Sequence, residues 1–149
     1  MAAPFAVDRD SGERLEFWGT RIVVRASADT TGGAFTLFEL GTPLLDATRH
    51  VHRETDELYH VLEGEHVFVC GDAEFTVGPG GTVFLPHGVP HSHRRVVPWT
   101  GRLLGMTFPA GFEGFFRVLA EASRTTASAG EAYERASEEH GVTWLGEGD

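Results

Sequence analysis

The sequence predicts an all-β fold, an antiparallel sandwich or barrel followed by short C-terminal helices. Three observations carry that expectation. Short runs rich in Val, Phe, Thr and Leu recur from about residue 15 to residue 108, divided by Gly, Pro and Asp. Helical periodicity is absent until Pro109. Two pairs of histidines, His50/His52 and His91/His93, stand one residue apart, the spacing that puts both side chains on one face of a strand.

Arg21 to Arg25 and Ala34 to Leu40 read as early strands, separated by the turn signal Gly32-Gly33. Leu58 to Leu62, His66 to Cys70 and Glu74 to Val77 follow, with Gly71-Asp72 between the last two. Gly78-Pro79-Gly80-Gly81 then leads into Thr82 to Leu85, and Leu103 to Phe108 ends the series. Behind Pro109, the residues Phe112, Phe116, Leu119 and Ala120 recur at helical spacing, and Ala129 to His140 reads as a second helix. Val142 to Gly146 is an apolar tail expected to dock back on the barrel. There is no internal repeat and no linker, so residues 1–149 are expected to form one domain. Its barrel covers about 15–108 and its helical extension 109–149.

Composition removes several classes of function. Hydrophobic content of 41% fits a soluble globular chain, and no stretch reaches the roughly 18 apolar residues of a membrane span. A net charge of −10 argues against a nucleic-acid partner, whose phosphates would be repelled. Much of the acid lies between Glu131 and Glu139 and in the tail Glu147-Gly148-Asp149, where it solubilises. All 12 basic residues are arginine, so lysine Schiff-base and pyridoxal-phosphate chemistry are excluded. Phosphate-loop, dinucleotide and serine-elbow motifs are absent. The lone Cys70, between apolar strand neighbours, reads as a small packed hydrophobe. With no basic, apolar N-terminal leader, it fits a cytoplasmic setting.

The strongest chemical signal is HVHRETDELYHVLEG, residues 50–64, answered by PHGVPH ending at His91. His50 and His52 share a strand face, and Glu57 can return to the same point from the next strand, after a turn at Arg53 to Asp56. With His91 they form a mixed nitrogen/oxygen ligand set for one divalent transition metal with open coordination positions. Iron, manganese, nickel, cobalt, copper and zinc would all accept it. The competing reading of any one strand histidine is structural. Four residues in register weigh against that here. Tyr59 shares the face of Glu57 and either packs in the core or offers its hydroxyl to a ligand. His93 follows His91 by two and either lines the cavity or takes part in acid–base work. His60 alternates outward, and His66, His87 and His140 are assigned no chemistry. Arg49 and Arg53 fall on the opposite face and are expected to be solvated. Phe112 and Phe116 either cap the barrel mouth over an aromatic ligand or seal the core.

The same residues carry a resemblance. HxH, four residues, Glu, six residues and Gly64, followed by Gly80, Pro86, Gly88 and His91, resemble the paired motifs of the cupin superfamily. That implies a double-stranded β-helix, or jelly-roll, barrel. Asp29 to Phe35, Pro109 to Phe116 and His140 to Gly146 extend the resemblance to the quercetinase-like monocupins of bacteria. Those proteins are best known for oxygenating flavonols, and relatives act as cyclases in aromatic polyketide pathways. The resemblance implies that His50, His52, Glu57 and His91 are metal ligands and that Glu57 is also the base that deprotonates an enol or phenol. It departs at Leu45 to Arg49, where the family usually has glycine and proline, and at Arg95, where asparagine is common. Both departures lie at the cavity edge.

Three functions follow as expectations. The first is a metal-dependent dioxygenase acting on a phenolic or enolisable, flavonol-like molecule, with dioxygen as partner. The second is a non-oxidative metal-dependent cyclase or isomerase of natural-product biosynthesis, and the third a cupin that only binds a small molecule. Open sheet edges would favour a homodimer, as in related cupins.

Overall fold

Alternating burial along the strands sorts the chain into two antiparallel sheets that face each other across one core. The computed structural model describes residues 2–41, 46–98 and 100–146. Among the described residues the strands are β1 (Glu13–Phe17), β2 (Thr20–Ala26), β3 (Thr36–Leu40), β4 (Ala47–His52), β5 (Asp56–Glu63), β6 (His66–Cys70), β7 (Ala73–Val77), β8 (Thr82–Leu85), β9 (His91–Arg95), β10 (Arg102–Phe108) and β11 (Val142–Trp144). Helix α1 (Ala28–Thr31) interrupts the chain between β2 and β3, and α2 (Glu113–Ala122) and α3 (Ala129–His140) precede β11. One sheet has the order β1-β2-β3-β10-β5-β8 and the other β11-β4-β9-β6-β7. All pairings are antiparallel, and sequence neighbours are often on different sheets, the pattern of a jelly-roll. No described helix is long and apolar enough to cross a membrane.

Inward positions of β2, β3, β5, β8 and β10 supply Ile22, Phe38, Val61, Leu85 and Leu103 to the core, met by Phe68 from the facing sheet. Gly105 sits opposite both Phe38 and Tyr59. A Cβ there would collide with the Phe38 ring and touch Tyr59, so glycine is what lets the two aromatics meet across β10. Gly64, which closes the first histidine motif, turns β5 into β6 at φ 77°. Its missing side chain leaves room for the carbonyl of Thr100, which a Cβ would approach to 2.7 Å.

The apolar runs between residues 21 and 108 locate β2, β3, β5, β6, β7, β8 and β10 to within about two residues. They do not mark β4 and β9, whose inward positions are held by histidines rather than by aliphatic residues. The first helix behind Pro109 begins only at Glu113, with Phe112 as its cap. The carboxylate of Glu113, 2% exposed, accepts the N–H groups of Ala28 (2.7 Å) and Gly111 (2.9 Å) and the hydroxyl of Thr36. It thereby ties α2 to α1 and β3. Helix α3 starts in a Ser128/Glu131 capping box and ends at Gly141 in the left-handed conformation. The chain then returns as β11, pairing Val142 with His52 and Trp144 with His50 along β4. The residues 147–149 read as a solubilising tail, and Leu45 of the cavity-edge departure, lie outside the described residues.

Candidate metal centre

Three strands deliver the site. β4 brings His50 and His52 inward, β5 brings Glu57 and β9 brings His91, and pairing of His50 with His91 sets the last two imidazoles side by side. One ligand-type atom of each of the four residues lies within 4.8 Å of those of the others. All four are buried, between 1% and 6% exposed, so the cluster is held away from water. The ring centroids of His50 and His91 are 4.4 Å apart, and His52 stacks nearly parallel to His91 at 5.3 Å.

Hydrogen bonds fix the direction of two rings. His50 turns Nδ1 to the carbonyl of Thr48 at 2.7 Å, and His91 turns Nδ1 to that of Val89 at 3.0 Å. A carbonyl only accepts, so both Nδ1 atoms carry the proton and each Nε2 presents its lone pair to the centre. The Nε2 of His91 then stands 2.9 Å from Oε2 of Glu57, and that of His52 stands 3.4 Å from the same oxygen. Two acceptors that close repel unless positive charge lies between them, whether a proton on His91 or a bound cation. Neither nitrogen of His52 has a hydrogen-bond partner among the described residues, although both are buried. Unpartnered buried nitrogen, a facing carboxylate and converging lone pairs suit a metal ion of the nitrogen/oxygen-binding kind.

Electrostatics point the same way. Burial alone would raise the pKa of Glu57, but the neighbouring His52 and His91 outweigh it and hold the carboxyl well below its usual range. Burial lowers His50 to about 4, against which the charge of Glu57 is a partial offset, so this imidazole is neutral and available as a donor at neutral pH. Burial lowers His91, but its hydrogen bond to Glu57, the charge of that carboxylate and the carbonyl of Val89 together raise it by more.

Above this floor opens a cavity of about 540 Å³. Tyr59 lines it, is 5% exposed, and donates its hydroxyl to Oε1 of Glu57 at 3.2 Å, so packing and polar contact coexist in one side chain. Burial first, and then Glu57, push the tyrosine pKa well up, which keeps the phenol a donor. His93 also lines the cavity and makes no hydrogen bond to the described residues; burial lowers its pKa to about 4. Phe112 lies edge-on against His52 at 4.9 Å, whereas Phe116 packs into Phe38 at 5.0 Å; both border the cavity and both are 8% exposed. The two readings of these phenylalanines, as cavity wall and as core, therefore hold together.

Sequence reasoning did not place Phe115, Tyr133, Val142 and Trp144 on this wall, where the structure puts them. Phe115 shares the helical spacing of its neighbours and was legible in principle. Tyr133 and Trp144 come from the C-terminal arm, and their place depends on how that arm returns. Arg49 is a correction: it is half-buried, with Nε enclosed and unpartnered among the described residues, because the returning tail covers β4. Arg53 is exposed as expected. At the cavity edge Arg95 pairs with Asp46 (3.2 Å) rather than facing the centre. His60 bonds Thr82 and His87 bonds Asp56 on the outside of the barrel, while His66 is buried apart from the ligand set. A second concavity, about 650 Å³, lies between the β1–β2 turn and the end of α2 and touches none of the four ligand-type residues.

Comparison with known proteins agrees with this geometry. A family profile described as a Cupin domain matches residues 39–98, the stretch that contains all four clustered residues. Quercetin 2,3-dioxygenase of Bacillus subtilis is 27% identical over 121 residues, covering 80% of this chain and 36% of that protein. The chain spans between about a third and a half of the length of the curated relatives it matches. Among solved structures, KdgF from Halomonas superposes with a TM-score of 0.61 at 14% identity, over 73% of this chain and 96% of that one. A nucleoside dehydratase of Streptomyces reaches 0.56 at 14% identity, over 73% and 85%. At such identities the likeness is one of fold. An antiparallel jelly-roll with a His/Glu cluster at the floor of its cavity is the architecture of a metal-site barrel. Residues 39–98 thus match the Cupin domain profile, and the fold around them is that of a cupin β-barrel.

Proposed function

We propose that this chain is a metal-dependent enzyme of small-molecule metabolism, a quercetinase-like dioxygenase whose substrate carries an acidic hydroxyl next to a carbonyl on an aromatic or enolisable frame. The observation that carries the reading is the buried His50/His52/Glu57/His91 set at the bottom of an aromatic-walled cavity. A divalent transition ion held by those four residues supplies Lewis-acid activation of adjacent oxygen donors and a redox-capable partner for dioxygen. The protein's own groups do the rest. Glu57 is ionised, and its Oε1, already touched by the Tyr59 hydroxyl, accepts the substrate's proton. Tyr59 keeps that carboxylate oriented. His93, neutral and without a hydrogen-bond partner among the described residues, offers a ring nitrogen to a polar substituent. Phe112, Phe115 and Trp144 bound a space from which water is displaced by the flat apolar part of the substrate.

Elemental analysis of the purified protein, with an oxygen electrode trace for flavonol-like phenols, tests the reading. Stoichiometric metal and substrate-dependent oxygen uptake are expected. Absence of metal uptake by the folded protein would refute it. A second reading has its own support: Glu57, Tyr59 and His93 already form an acid–base group facing one cavity, which suffices for a non-oxidative cyclase or isomerase. Turnover under nitrogen, without oxygen consumption, would favour that alternative.

A further inference from the structure

We propose that Trp144 is a positioning residue of the metal centre, acting on it through His50, so that the C-terminal strand β11 belongs to the site. The inference rests on the metal-centre reading above and adds a residue from the far end of the chain.

Strand β4 carries two of the four clustered residues, and its support is unequal on its two sides. Toward β9 it pairs Ala47 with His93 and His50 with His91, with an irregularity between. On the other side it is covered by β11 alone, which is the edge of its sheet. Trp144 stands directly opposite His50 in that pairing, and directly opposed residues project to the same face of a sheet. The indole accordingly lies over the imidazole, with centroids 4.9 Å apart and planes at 41°. The bond from His50 Nδ1 to Thr48 holds one ring atom but leaves the face of the ring to be held by packing. Trp144 supplies that packing.

The indole is itself anchored. Its Nε1–H donates to Oγ of the buried Ser137 at 2.8 Å, and its ring meets Tyr133 edge-on at 6.1 Å. Flanking backbone bonds, Arg53 N–H to Gly141 O and Leu145 N–H to Arg49 O, hold the strand on either side. His50 is 6% exposed although its strand is next to the sheet edge, and Trp144, 40% exposed, covers its ring on the β11 side. Removing the indole would admit water to His50 and free its ring to tilt, and ligand orientation is what such outer contacts govern in metal sites.

The test is metal affinity, measured by competition against a chelating dye, together with the visible absorption of the cobalt-loaded protein. Trp144→Ala is expected to lose on the order of tenfold in affinity and to change the cobalt spectrum. Trp144→Phe, which keeps a ring over His50, should stay within about threefold of wild type with an unchanged spectrum. Ser137→Ala leaves the indole but cuts its anchor and is expected to lose a few-fold, a readout that remains if Trp144→Ala fails to fold. Thr143→Ala, on the opposite face of the same strand, should bind metal as wild type does. Wild-type affinity and spectrum in Trp144→Ala, or an equal loss in Thr143→Ala, would overturn the inference while leaving the metal centre intact. A wild-type protein that binds no divalent metal would overturn both.

Discussion

At the scale of single residues, the division of labour among the buried polar groups is sharp. His52 is enclosed with two nitrogens unpartnered among the described residues, and His91 faces the carboxylate of Glu57, so neither has another structural role of comparable weight. Changing His52→Ala or His91→Ala is expected to abolish metal loading, seen by elemental analysis, while circular dichroism stays native. For Glu57→Gln the expectation is retained metal and loss of activity by at least about a hundredfold, since the proton acceptor is gone. Glu113 does a different job. Burial would raise its pKa, but bonds from Thr36, Ala28 and Gly111 hold it below the ordinary carboxylate value. Its contribution is thus present above that ordinary value and is lost as pH falls through the lower folded value. His50 and His93, held near 4 by burial, act in the same sense between their ordinary 6.5 and that value, because the unfolded chain takes up protons they refuse. Urea titrations at falling pH should show stability declining from about 6.5 downward. Glu113→Gln should remove that residue's own part of the decline and cost about 2–3 kcal/mol at neutral pH.

At the scale of elements, two junctions decide whether the site assembles. The crossing of β3, β10 and β5 depends on Gly105, which admits Phe38 and Tyr59 to each other across the middle strand. Gly105→Ala is expected to cost about 1–3 kcal/mol in denaturant unfolding and to displace Tyr59, and with it the hydroxyl bonded to Glu57. The second junction is α3, whose Ser128/Glu131 box fixes where the helix begins and hence where Gly141 releases the chain to β11. Ser128→Ala should lower stability by about 1 kcal/mol, without altering the metal stoichiometry, as the helix is otherwise held by its packing on α2.

At the scale of the whole molecule, the barrel brings groups from three strands of two sheets to one buried point, with no compensating arginine there among the described residues. Such a centre is a stored electrostatic cost that a bound metal relieves. Addition of a divalent transition ion is therefore expected to raise Tm in proportion to the logarithm of its concentration, and a chelator to reverse the shift. An unchanged Tm across manganese, iron, cobalt, nickel, copper and zinc would count against a metal centre. The similarity to quercetin dioxygenase covers most of this chain but little more than a third of that protein.

Much of this was legible in the sequence because strand periodicity is local. The spacing of His50 and His52, and of Glu57, Tyr59 and Val61, already assigns each to a shared face, and burial along β4 and β5 follows that assignment. The all-β class, the two helices behind Pro109 and the docking tail were likewise readable from pattern, whereas the four-residue helix α1, too short to show a periodicity, was not. What only the tertiary structure decided was which distant groups meet: the carboxylate of Glu113 under α1, the enclosure of Arg49, and Trp144 over His50. No periodicity encodes those contacts, because each depends on where a chain segment more than twenty residues away returns, and that is set by the packing of whole elements rather than by the preferences of any one of them.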